Sequence, residues 1–135
     1  MYNKIMNEKQ ITQLIKAAEQ MVKENGSEPN HTVGSAVMSK DGAIISGINF
    51  YHFNGGPCGE VATLAKAISE GCNDLIGIVA VGDRERGVIS PCGRCRQSIF
   101  DYYPDMEVVI NDGNSLTTIP IKKLLPYTYS FEENK

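Results

Sequence analysis

Apolar residues recur every three or four positions between Glu8 and Asn25, at Ile11, Leu14, Ile15, Ala18, Met21 and Val22. That spacing lays them along one stripe of a helix, and Asn25–Gly26 is a stop signal. The period then changes. Val33 to Ser39 and Ala43 to Phe50 read as strands, joined at Asp41 and Gly42, a pair suited to a tight hairpin. Tyr51 to Pro57 is a polar, glycine-rich loop. A second helix is predicted from Cys58 through Val61, Ala62, Leu64, Ala65 and Ile68, with Gly71 as its stop. Leu75 to Val81 is short and almost wholly apolar, which predicts a central strand covered on both faces.

Gly82 to Pro91 reads as a loop carrying Asp83, Arg84, Glu85 and Arg86. A third helix is expected from about Cys92 to Asp101, halted by Pro104. Met106 to Asn111 predicts a strand, Asp112 and Gly113 a turn, Leu116 to Ile119 an edge strand, and Ile121 to Leu125 a short helix before an aromatic tail at Tyr127, Tyr129 and Phe131. Alternation of strand and helix after residue 43 implies crossover connections and a mixed sheet with helices on its faces. No repeat or linker interrupts the chain, so residues 1–135 are expected to form a single α/β domain.

Composition narrows the possibilities further. A hydrophobic share of 41 % with 13 glycines in 135 residues is the ordinary globular range, and the length suits one core. The net charge of −3 argues against a protein that grips nucleic acid through its phosphates. No apolar run approaches the roughly eighteen residues of a membrane span, and Met1 to Gln10 is polar. Neither signal peptide nor membrane anchor is expected, and the location expected is cytoplasmic. In that setting the four cysteines are metal ligands, catalytic thiols or buried fillers rather than a disulfide framework.

Two motifs open the second and third helices: Cys58, Gly59, Glu60, and Pro91, Cys92, Gly93, Arg94, Cys95. In an open sheet the loops at the carboxyl ends of parallel strands share a crevice, so Cys58, Cys92 and Cys95 could converge. Helix N-termini favour thiolates, and three sulfur ligands leave a tetrahedral zinc one position for water, the arrangement of a catalytic rather than a closed site. Glu60, two residues after a proposed ligand, is placed to carry protons. Three thiolates on a zinc dication leave a net charge of −1, which hydrogen bonds from helix amides or a guanidinium could offset, and Arg94 or Arg96 is expected to be that guanidinium. Cys72 lies fourteen residues beyond Cys58, about 20 Å along a helix, and is expected to be buried filler. His31 and His52 are expected to have polar or packing roles.

Cys-x-Glu followed by Pro-Cys-x-x-Cys is the signature of zinc deaminases acting on bases. Residues 49–60 (NFYHFNGGPCGE), 86–97 (RGVISPCGRCRQ) and 124–126 extend the match. From about residue 8 to 131 the chain resembles the blasticidin-S deaminase branch of the cytidine deaminase family. The resemblance implies a three-layer α/β/α cytidine deaminase-like fold with a five-stranded mixed sheet, Zn2+ as cofactor, and a homotetramer with active sites near subunit contacts. It also implies hydrolytic loss of the amine on carbon 4 of a cytosine ring, with Glu60 moving protons and Thr32, Asn49, Arg86 and Tyr129 contacting substrate. Two positions depart from relatives. Tyr51 stands where cytidine deaminases carry a glutamate that holds the ribose hydroxyls, and Phe131 replaces a tryptophan of the blasticidin enzymes. A phenol cannot accept two hydrogen bonds as a carboxylate can, so an unmodified nucleoside is expected to bind less well than one whose sugar lacks those hydroxyls. The resemblance implies blasticidin S as the substrate, ahead of cytidine or deoxycytidine. A non-catalytic zinc-stabilised binding module is the alternative from another class.

Overall fold

The computed structural model describes residues 3–134. Helix α1 (Glu8–Asn25) starts from Asn7, whose side-chain oxygen accepts from the Gln10 amide while Gln10 Oε1 accepts from the Asn7 amide, each at 2.9 Å. This reciprocal box satisfies two donors that a helix start would otherwise leave open. Strands β1 (Val33–Ser39) and β2 (Ile44–Ile48) follow, then α2 (Gly59–Ser69), β3 (Leu75–Gly82), β4 (Gly87–Ile89), α3 (Gly93–Tyr102), β5 (Glu107–Asn111) and β6 (Leu116–Pro120). A 3-10 turn at Ile121–Leu124 and the four-residue helix α4 (Phe131–Asn134) complete the order.

The sheet is mixed, in the order β2-β1-β3-β5-β6, with β4 paired to β3 outside that path. It therefore has six strands, not the expected five. The extra one lies in the segment read as a loop. Three residues are too short to show a period, and the turn before β4 is made by Arg84 and Glu85 at φ 52° and 59°. Glycine or asparagine normally marks such a left-handed turn, so the usual hairpin signal is missing. Two other boundaries shift. β2 stops at Ile48 instead of running to Phe50, and the short helix after β6 is a 3-10 turn.

Period-two alternation builds the two faces of the sheet. Ala36, Met38, Val79, Val81 and Val109 pack with Leu14, Ala18 and Val22 of α1 on one face. Val37, Ile78 and Val108 point the other way, to Leu64 and Ala67 of α2 and Ile99 of α3. The result is the three-layer α/β/α arrangement, with β3 buried along nearly its whole length as its apolar run predicts. Gly34 lets α1 sit close to β1, since a Cβ there would stand 2.5 Å from the Ala18 carbonyl oxygen.

One buried charge ties the chain start to the sheet. Glu107 at the head of β5 is fully buried, and its carboxylate accepts from the Ile5 and Met6 amides at 2.7 and 2.8 Å. Glu107→Ala would strand both amides, so urea titration is expected to show a loss of about 2–4 kcal/mol of stability, with Glu107→Gln recovering part of it. An unchanged midpoint for the alanine variant would rule this role out.

Candidate metal centre and active site

α2 and α3 begin with the same backbone geometry. Cys58 precedes α2 at φ −64° and ψ 164°, Cys92 precedes α3 at φ −69° and ψ 170°, and neither side chain makes a capping hydrogen bond. Cys95 lies in the first turn of α3 and is fully buried. The Sγ atoms of Cys58 and Cys92 are 3.8 Å apart, those of Cys92 and Cys95 3.7 Å, and all three fall within 4.8 Å of one another. A tetrahedral zinc holding thiolates at about 2.3 Å separates them by about 3.8 Å, so the cluster fits such an ion with little rearrangement. Among the described residues this is the one group of His, Cys, Asp or Glu so gathered.

The route by which the motifs meet differs from the expected one. β2 and β3 are both antiparallel to β1 and so end on the same side of the sheet. The chain does not pass straight from β3 to α3, however. β4 doubles back along β3, with Gly87 opposite Gly82 and Ile89 opposite Ala80, so a hairpin return delivers Cys92. On the other motif, Gly59 allows the first turn of α2 to lean on β1, because a Cβ there would stand 2.8 Å from the Val33 carbonyl oxygen.

Glu60, in the first turn of α2, is 5 % exposed. Burial raises its carboxyl pKa, partly offset by its own amide and by the neighbouring Cys95 thiol. Burial also raises Cys58 and, more strongly, Cys95, where the negative charge of Glu60 adds to the effect. Cys92 goes the other way. Burial opposes its ionisation, but the amides of Cys95 and Arg94 and the neighbouring thiols outweigh burial and bring its pKa down. A dication would supply the stabilisation that the other two thiolates need.

Arg94 and Arg96, the arginines expected to offset the thiolate charge, both hold main-chain carbonyls beside the cluster. Arg94 Nη2 donates to the Gly55 carbonyl at 3.0 Å, while Arg96 donates to Pro91 O at 2.8 Å and Leu124 O at 3.0 Å. They tie together the loops around the cluster, and main-chain amides favour charge at Cys92. Cys72 packs against the core on the α2 and α3 side, outside the thiol group. His31 Nδ1 bonds the Asn49 carbonyl oxygen at 2.9 Å, and His52 stacks on Phe53, so both have the polar and packing roles expected.

Thr32, Asn49 and Arg86 come together in one network. Asn49 Oδ1 accepts from the Thr32 and Val33 amides at 2.7 and 3.0 Å, and its Nδ2 donates to Asn30 O at 3.1 Å. Arg86 Nη2 donates to the Thr32 carbonyl oxygen at 2.9 Å. Tyr129 is not part of it: its carbonyl accepts from Gln97 Nε2 of α3, and its side chain is exposed. Asp83, read from the sequence as one of four loop charges, holds the Arg86 guanidinium at 2.8 Å. The Gly87-Val88-Ile89 run after that charge cluster is the one sequence signal that could have exposed the hairpin.

Residues 8–111 match the family model described as the cytidine and deoxycytidylate deaminase zinc-binding region. The chain belongs to that family. This deaminase is 34 % identical to the blasticidin-S deaminase of Bacillus cereus over 127 residues, 87 % of this chain and 91 % of that one. It is 37 % identical to the cytidine deaminase of Halalkalibacterium halodurans over 105 residues, 75 % of this chain and 79 % of that one. The crystal structure of cytidine deaminase from Burkholderia pseudomallei matches it with a TM-score of 0.74 at 28 % identity, covering 92 % of this chain and 100 % of that one. The protein is thus a hydrolytic aminohydrolase that uses zinc, on the three-layer fold described above.

Proposed function

We propose that this deaminase removes the 4-amino group of a cytosine nucleoside and that blasticidin S is its preferred substrate. The observation that carries the deamination reading is the buried Glu60 carboxyl against a group of three convergent thiols. Cys58, Cys92 and Cys95 would hold the zinc, which when bound supplies a water acidified towards neutrality. Glu60 takes one proton from the attacking water and gives it to ring nitrogen 3, then carries the second proton of that water to the amine. The amine leaves as ammonia while a water oxygen takes its place on carbon 4. Thr32, Asn49 and Arg86 bind and orient the nucleoside, and Tyr129 contributes from the tail.

Support for blasticidin S comes from Tyr51 at the position of the ribose-holding glutamate and from the long match to the Bacillus cereus enzyme. Cytidine or deoxycytidine is the second reading, favoured by the higher identity to the Halalkalibacterium halodurans enzyme over a shorter span. Loss of ultraviolet absorbance with each of the three nucleosides, on protein of measured zinc content, separates them. Blasticidin S is expected to lead in kcat/KM by about tenfold or more. A faster reaction with cytidine would move the protein to pyrimidine salvage. Full zinc with no ammonia from any of the three would favour a binding module.

The same reading takes residues 1–135 as one domain, acting in the cytoplasm as a homotetramer without nucleic-acid or membrane partners. Free thiols at Cys58, Cys92 and Cys95 suit reducing surroundings. Exposed Phe50, Tyr51 and Phe53 before α2 offer apolar surface for subunit contacts. Among the described residues no helix is long and apolar enough to cross a membrane.

A further inference from the structure

Arg86 is fastened at several points although it sits on an exposed hairpin. Its Nη2 donates to the Asp83 carboxylate at 2.8 Å and to the Thr32 carbonyl oxygen at 2.9 Å, and its Nε to the Asp83 carbonyl oxygen at 3.3 Å. The Asp83 side chain is 13 % exposed against 40 % for Arg86, so the carboxylate is a largely sheltered anchor under a more open guanidinium. The side chain of Arg86 lies over Gly82, where a Cβ would stand 2.7 Å from Nε. Asp83 is itself fixed, its amide donating to Thr32 O at 2.9 Å.

The turn between the two residues is strained. Arg84 and Glu85 both have left-handed φ values, which side-chain-bearing residues avoid. Such a turn persists where its surroundings over-determine it. Here Arg84 pairs with Glu28 at 2.7 Å and with Asp83 at 3.5 Å.

This hairpin borders the metal centre through β1. Gly82 is the cross-strand partner of Val33, and the Val33 carbonyl oxygen abuts Gly59, which lies between Cys58 and Glu60. Of the three guanidinium nitrogens, Nη1 alone has no protein acceptor among the described residues. A guanidinium clamped through Nε and one Nη presents the other in a fixed direction, and less freedom is lost when it grips an acceptor.

The geometry points to Asp83 as a positioning residue for substrate binding, pinning Arg86 over Gly82 and onto Thr32 so that Nη1 meets an acceptor oxygen of the nucleoside. This rests on the reading above that Arg86 touches substrate. Asp83 itself meets no reacting atom, so its effect falls on affinity and not on the chemical step.

Steady-state kinetics with blasticidin S and with cytidine, on zinc-loaded protein, test it. Asp83→Asn keeps the shape and loses the charge. It is expected to raise KM about tenfold, with kcat within about twofold and zinc content unchanged. Arg86→Ala should raise KM at least as much, and adding Asp83→Asn to it should raise KM no further. Gly82→Ala, which displaces Arg86 and leaves Asp83 in place, should raise KM in the same way and decides the matter should Asp83→Asn fail to fold. Wild-type KM in Asp83→Asn or Gly82→Ala beside a raised KM in Arg86→Ala would overturn the positioning role, as would full additivity in the double variant. Wild-type KM in Arg86→Ala would instead remove the substrate contact on which the inference stands.

Discussion

Glu60→Gln is expected to lower kcat by about a thousandfold or more while zinc content and fold stay as they are. Glutamine has the same shape, so it fits a site where Glu60 is 5 % exposed, and removing a buried negative charge costs the packing nothing. What it cannot do is shuttle a proton. Zinc and substrate binding survive the change, so KM should move far less than kcat. Ultraviolet assays beside zinc quantification check the outcome. If zinc disappears together with activity, Glu60 is a ligand or a scaffold instead; if activity persists, the proton path runs elsewhere.

Cys95→Ser should lose the metal. A serine hydroxyl stays protonated near neutrality and is a poor zinc donor, so affinity is expected to fall by more than about a hundredfold and activity with it. Cys95 is the most telling of the three. It is fully buried, and its sulfur is 3.7 Å from that of Cys92. Cys72→Ser is the control and should leave zinc and rate unchanged, since Cys72 stands outside the thiol group. Zinc held at about one per chain by Cys95→Ser, or lost from Cys72→Ser, would overthrow the assignment.

Most elements were legible because their information is local. α1 shows itself in the spacing of Ile11, Leu14, Ala18 and Val22, all buried against the sheet, and β3 in an unbroken apolar run. The motifs around Cys58 and Cys92 sit at the helix starts expected of them. β4 escaped because three residues carry no period and its turn uses Arg84 and Glu85 where glycine is usual. The contact of Arg94 with the Gly55 carbonyl was not legible either, since nothing in a residue's identity says that it will reach a carbonyl 39 positions away.

Residue types and their intervals were enough to pick out three cysteines that the fold gathers, a glutamate that it buries and the helices that present them. Distance across the fold was a separate matter: Cys58 and Cys92 are 34 positions apart, yet their sulfurs stand 3.8 Å from each other. Strand pairing across β1 and β3 and the return of β4 produce that closeness, together with the path from Asp83 through Arg86 to Thr32. Helix periodicity and capping act over a few residues and leave a trace in the order of amino acids. Contacts between distant strands depend on how whole faces pack, and no short stretch of the chain records them.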